Sequence, residues 1–147
     1  MKDFLERIKD RARADIKTIV LAEGEEIRTV KAADMILKEG IAKIILLGDE
    51  EKIKAIADGL DISRATIIDP KNALNRDEFA KKLCEIRKSK SLTMEQALDL
   101  LVNPLYYGVM MVKEGLADGM VAGAVNSTAN VLRPSLQILK TAPGTKL

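Results

Sequence analysis

Short apolar runs separated by segments of helical periodicity constrain this chain more than any other feature. Thr18-Ile-Val-Leu-Ala22, Ala42 to Leu47 and Ala65 to Ile68 are brief, continuous and rich in β-branched residues, the pattern of strands buried on both faces. Each is stopped by turn-forming residues: Glu23-Gly24-Glu25-Glu26, then Gly48-Asp49, then Asp69-Pro70. Between the first two runs, Ile27, Val30, Ala33 and Leu37 recur at helical spacing and Gly40 closes the helix; residues 50–58 predict a shorter one. Parallel strands need crossover connections, and these are nearly always right-handed. The order β-α-β-α-β therefore predicts an α/β fold: a three-layer α/β/α sandwich around a mainly parallel sheet, Rossmann-like in class.

The flanking segments are helical. Residues 2–14 place Phe4, Leu5, Ile8 and Ala12 along one side, which predicts an amphipathic helix covering the core. A helix over 76–89 carries Phe79, Leu83 and Ile86 as its apolar stripe, with Arg87 at the border of that stripe. An arginine there either lays its stem over apolar surface and presents its head at a rim, or is simply solvated or ion-paired. Thr93 caps a helix running to about Val102, and Asn103-Pro104 opens another that closes at Gly115.

The chain then enters Gly119-Met-Val-Ala-Gly123, a short run read as a buried strand, and reaches the polar corner Asn126-Ser127-Thr128. Ser, Thr and Asn satisfy free N–H groups at helix starts. Six residues after Ser127 comes Arg133-Pro134; proline disfavours a helical residue before it and suits the first position of a new helix. Two helix starts with an arginine between them are expected. Helix N-termini attract anions, and arginine adds a planar fork of donors. Ser127, Thr128, Arg133 and backbone amides thus form a candidate anion site at a strand-to-helix junction, where open α/β sheets place ligands. The alternative is that these residues are ordinary punctuation, with Arg133 paired to a surface acid.

Composition narrows the chemistry. The 147 residues suit one domain, 47% hydrophobic and 31% charged. No apolar run is long enough to span a membrane, and the start lacks the apolar segment of a signal peptide, so the cytoplasm is the expected compartment. The 24 basic and 22 acidic residues are interspersed, which gives no basic face for nucleic acid. With no histidine and only Cys84, the usual zinc sites and histidine triads are excluded within this sequence. Neither G-x-G-x-x-G nor G-x-x-x-x-G-K-[ST] occurs.

The segments Gly115-Leu-Ala-Asp-Gly-Met-Val-Ala-Gly123, Asn126-Ser-Thr128 and Leu132-Arg-Pro-Ser-Leu-Gln-Ile138 resemble the most distinctive motif of phosphate acetyltransferases (phosphotransacetylases). The resemblance extends to Glu23-Gly-Glu-Glu-Ile-Arg-Thr29, Gly40 to Gly48, Ile68-Asp-Pro70, Glu85-Ile-Arg-Lys88 and Thr93 to Val112, and so covers essentially the whole chain. It implies an isocitrate/isopropylmalate dehydrogenase-like first domain and reversible acyl transfer between coenzyme A and inorganic phosphate. Acetyl-CoA and phosphate would be substrates, with no cofactor or metal required, and the full-length enzymes would be homodimers. It assigns Arg87 and Arg133 to coenzyme A binding, Arg133 also to catalysis, with Ser127 and Thr128 beside them.

Two departures stand out. Ala22 replaces a proline common before the acid that ends the first strand. The family's enzymes are also about twice this length, and their Ser-Arg pair and catalytic aspartate belong to a later segment. Residues 1–147 are therefore expected to be a single α/β domain, the incomplete first domain of a two-domain enzyme, inactive alone. The alternatives are a phosphate butyryltransferase and a non-catalytic anion-binding or interaction domain derived from the family.

Overall fold

The computed structural model describes residues 3–145. Met1, Lys2, Lys146 and Leu147 lie outside the described residues, including the expected first helical residue and the chain end at Leu147. The elements run α1 (Phe4–Ala14), β1 (Lys17–Leu21), α2 (Ile27–Glu39), β2 (Ala42–Leu47), α3 (Glu50–Ile56), β3 (Thr66–Ile68), α4 (Arg76–Ile86), α5 (Met94–Leu101), α6 (Pro104–Lys113), β4 (Gly119–Val121) and α7 (Thr128–Ile138), with a single 3-10 turn at Lys88–Lys90. The strands form one sheet in the order β3-β2-β1-β4, and every pairing is parallel. The α/β layering predicted from the alternating runs is the observed one.

Two apolar layers hold the sheet. On one face, Leu21, Ile44 and Leu46 pack with Val30, Ala33 and Leu37 of α2 and Ile53 of α3. On the other, Val20, Ala22, Ile45 and Leu47 pack with residues of α4, α5 and α6 and with Ile138 of α7. Alternate residues of β1 and β2 thus serve opposite layers, as strands buried on both faces require. Gly108 lets α6 lie close to the sheet: a Cβ there would stand 3.2 Å from both Leu47 Cδ1 and Val20 Cγ1. Because α2 and α3 cover one face and α4 to α7 the other, the winding direction reverses between β1 and β4. That boundary is the crevice in which open α/β sheets bind ligands.

Four expectations need correction. First, α1 covers nothing: none of its residues is buried, and Phe4, Leu5 and Ile8 are exposed. Its polar side turns inward, because Lys9 pairs with Glu39 at 2.7 Å and Arg13 Nε donates to the Glu39 carbonyl at 3.1 Å. Second, β4 is an edge strand paired only with β1 among the described strands, and Val121 is 62% exposed. Third, α4 ends at Ile86, so Arg87 is its C-cap and not an interior helical residue. Fourth, among the described residues there is one helix after β4, not two: α7 runs through Pro134. An interior proline loses one helical hydrogen bond at a cost of roughly 3 kcal/mol or more. Here Pro134 is buried, on the helix whose Ile138 joins the core with α6, and that burial offsets the lost bond. Ser135 Oγ also donates to the Val131 carbonyl at 3.2 Å.

Candidate functional site

The site grows from the turn after β1. Gly24 donates its N–H to the Leu47 carbonyl at 3.0 Å, and a Cβ at Gly24 would fall 2.6 Å from that carbonyl oxygen. Only glycine passes so close to the end of β2. The residue before it, Glu23, reaches across the crevice to the loop following β4. Its Oε2 accepts from the N–H groups of Gly123 at 2.9 Å and Ala124 at 2.7 Å. Its Oε1 accepts from the N–H of Val125 at 2.9 Å, the N–H of Asn126 at 2.8 Å and Asn126 Nδ2 at 3.0 Å. Four successive backbone amides closed on one anion form a nest of the kind that elsewhere binds phosphate. Burial pushes the Glu23 carboxyl up, but the donors of Asn126, Val125 and Ala124 outweigh it and bring its pKa down to about 2.

Arg28 holds the same loop from its other side. Its Nη2 donates to the Ala124 carbonyl at 2.6 Å, and its Nε pairs with Glu26 at 2.7 Å. Glu26 in turn caps α2, accepting from the N–H groups of Arg28 at 2.8 Å and Thr29 at 3.1 Å. The turn after β1 and the first turn of α2 therefore together grip the donors and an acceptor of the loop that precedes α7.

A cavity of about 400 Å³ opens at the carboxyl ends of β1, β2 and β3, beneath the start of α6; Glu23, Glu25, Gly48, Asp69, Lys71 and Asn126 are in its wall. Its acids are engaged. Glu25 accepts from Asp49 N–H at 2.9 Å and pairs with Lys52, and Asp69 accepts from Lys71 N–H at 3.0 Å and Asn72 Nδ2 at 2.7 Å. A smaller recess of about 200 Å³ is lined by Leu21, Glu23, Arg28, Val121 and Ala124. Glu23 borders both spaces. Among the described residues no cluster of three or more His, Cys, Asp or Glu could hold a metal ion, and no helix is long and apolar enough to cross a membrane.

Ser127 is exposed and caps α7, its Oγ accepting from Asn130 N–H at 3.3 Å. Thr128 is the exposed first residue of that helix. Arg133 is exposed on the same helix and has no ion pair or side-chain hydrogen bond among the described residues. Arg133 lies five positions after Thr128, which turns their side chains about 140° apart around the axis. Arg87 is half-buried at the end of α4. Neither arginine lines either cavity. Sequence reasoning missed Glu23 and Arg28 as site builders. The available signal was an acid followed by glycine at the end of β1, across the reversal point from a glycine-bearing segment.

An open parallel α/β fold with a crevice at the carboxyl edge of the sheet is the class that the geometry defines. Within that class the chain belongs to the phosphate acetyl/butyryl transferase family: the family model described as "Phosphate acetyl/butaryl transferase" matches residues 3–147. The phosphate acetyltransferase of Acetivibrio thermocellus is 58% identical over 144 residues, which cover 98% of this chain and 43% of that protein. The phosphate acetyltransferase of Clostridium acetobutylicum is 49% identical, over 99% of this chain and 44% of its own length. A phosphotransacetylase structure from Streptococcus pyogenes superposes with a TM-score of 0.92 at 38% identity, covering 97% of this chain and 44% of that one. The EutD phosphotransacetylase from Staphylococcus aureus gives 0.89 at 41% identity, with the same coverage of 97% and 44%. The chain thus spans less than half the length of these relatives.

Proposed function

We propose that this chain contributes one wall of an active site for acyl transfer between coenzyme A and inorganic phosphate, with acetyl as the acyl group. The observation that carries the reading is the match of residues 3–147 to the family, joined to the position of Arg133: a cation without an ion partner among the described residues, on the helix that leaves the reversal point of the sheet. In the reaction a phosphate oxygen attacks the thioester carbonyl, a C–O bond forms, the C–S bond breaks, and the departing thiolate takes a proton. Both substrates are anions, and the tetrahedral transition state gathers negative charge on oxygen. Fixed cations and N–H donors stabilise that charge, and the guanidinium fork suits phosphate. Arg133 and Arg87 are the binding groups of this reading, with Ser127 and Thr128 at the helix start.

Because the chain covers 43% of the Acetivibrio relative, the reading is of a contribution to a site, and turnover by residues 1–147 alone is not expected. The test is calorimetric titration of the chain with coenzyme A, alongside Arg133→Ala. Loss of charge-assisted contacts predicts about 10- to 100-fold weaker binding in the variant. Equal affinity of the two proteins, or no binding by either, overturns the reading.

A further inference from the structure

Glu23 is absent from the proposed binding groups, yet it is the most densely hydrogen-bonded carboxylate at the site. All four backbone donors of residues 123–126 go to it, together with Asn126 Nδ2. Backbone amides facing one concavity need an anion, and a loop between a strand end and a helix start has no ladder to satisfy them. In open α/β sheets a ligand's phosphate supplies that anion at the reversal point. Here the chain supplies it from the turn after β1, about 100 residues away in sequence, and the crevice between β1 and β4 is bridged by protein.

The consequence falls on α7. The loop begins at Gly123, whose φ of 115° suits only glycine, and ends at Ser127, the N-cap of α7. Arg28 adds its bond to the Ala124 carbonyl. With both peptide polarities of the loop fixed by the turn after β1 and the start of α2, the point where α7 departs is set relative to the sheet. We propose that Glu23 is a positioning residue for the acyl-transfer site: a built-in anion that fills the amide nest and fixes where α7, carrying Arg133, leaves the sheet. This rests on the assignment of Arg133 to coenzyme A binding above.

Charge and position predict opposite signs. Removing a carboxylate near an anion site strengthens anion binding if charge alone matters. Loss of position weakens it. Glu23→Ala removes a CH₂–COO⁻ group, and free acetate has the atoms to refill the nest. The experiment titrates coenzyme A into the wild-type chain, Glu23→Ala and Arg133→Ala, each with and without excess sodium acetate, while ¹⁵N–¹H spectra follow the amides of residues 123–126. Expected are about tenfold weaker coenzyme A binding by Glu23→Ala, recovery on adding acetate with shifts confined to those amides, and no recovery for Arg133→Ala.

Wild-type or tighter affinity in Glu23→Ala overturns the proposal, as does weakened binding that acetate leaves unchanged. Should Glu23→Ala not fold, Glu23→Gln decides by hydrogen exchange. Its amide group turns N–H donors toward part of the nest, so exchange of residues 123–126 should quicken about 10- to 100-fold; unchanged exchange overturns the proposal. A wild-type chain that does not bind coenzyme A refutes the functional reading and with it the link from Glu23 to Arg133, whereas wild-type binding with an indifferent Glu23 refutes the positioning role alone.

Discussion

Glu23 also makes a quantitative prediction about stability. Its folded-state pKa is about 2, against 4.5 for an ordinary glutamate. A lowered folded pKa means that the stabilisation is fully present above the unfolded value and is lost as pH falls through the folded one. The window is therefore roughly pH 5 to 2. At 1.36 kcal/mol per pKa unit, a shift of 4.5 minus about 2 corresponds to at most about 3.4 kcal/mol. Glu23 is partly exposed, and solvent screening reduces this to about 2 kcal/mol.

Glu23→Gln has no carboxyl to titrate. Urea unfolding followed by far-ultraviolet circular dichroism, at constant ionic strength and a series of pH values, gives the free-energy gap between the two proteins. That gap should be flat above pH 5 and close by about 2 kcal/mol toward pH 2. Taking the difference matters, because Glu26, Asp34, Asp61 and Glu78 also have lowered values and destabilise both proteins in acid. Parallel stability curves through the whole window would refute the reasoning. They would mean that the nest gives the carboxylate no more than water does.

Three further predictions concern packing and backbone conformation. Gly24→Ala forces a Cβ to 2.6 Å from the Leu47 carbonyl oxygen, an atom that cannot yield cheaply, and should cost about 2–3 kcal/mol in urea unfolding. Gly40→Ala meets no atom within 4 Å but keeps a φ of 63°, so the cost is the left-handed backbone alone, about 1 kcal/mol. Leu5→Ser on the uncovered stripe of α1 should change stability by no more than about 0.5 kcal/mol, since Leu5 is 59% exposed; a loss above 1.5 kcal/mol by the same assay would mean that the stripe is covered in solution.

What the sequence made legible was local. Ala42–Leu47 was bounded to the residue, Gly40 closes α2 in the left-handed conformation, and Thr93 with Gln96 completes a capping box at α5. These follow from apolar period and cap chemistry, which act over a few neighbouring residues. The edge position of β4 could not be read the same way, because a three-residue apolar run looks alike in the centre and at the rim. Nor could the outward stripe of α1, where ion pairs from Lys9 and Arg13 to Glu39 won over the apolar side. Glu23 was hidden for a related reason. Its partners lie about 100 positions away, and only the sheet order brings them together. The proline in α7 misled because local sterics argued for a break, while burial of Pro134 and Ile138 favoured continuity.

That single helix changes how an anion can meet this domain. With two helix starts, Ser127, Thr128 and Arg133 could converge on one phosphate. In α7, Thr128 and Arg133 lie about 7.5 Å apart along the axis and about 140° apart around it, so one phosphate cannot be held by both side chains. A ligand that uses both must present two anionic groups, or the two residues must serve different ligands. Side chains this far apart with no shared partner contribute additively, within about 0.3–0.5 kcal/mol. Coenzyme A titrations of Thr128→Ala, Arg133→Ala and the double variant should therefore give free-energy losses that sum. A double variant no weaker than Arg133→Ala alone, when Thr128→Ala by itself costs measurable affinity, would put both residues on one group. The side-chain directions of a continuous α7 would then be wrong for the bound state.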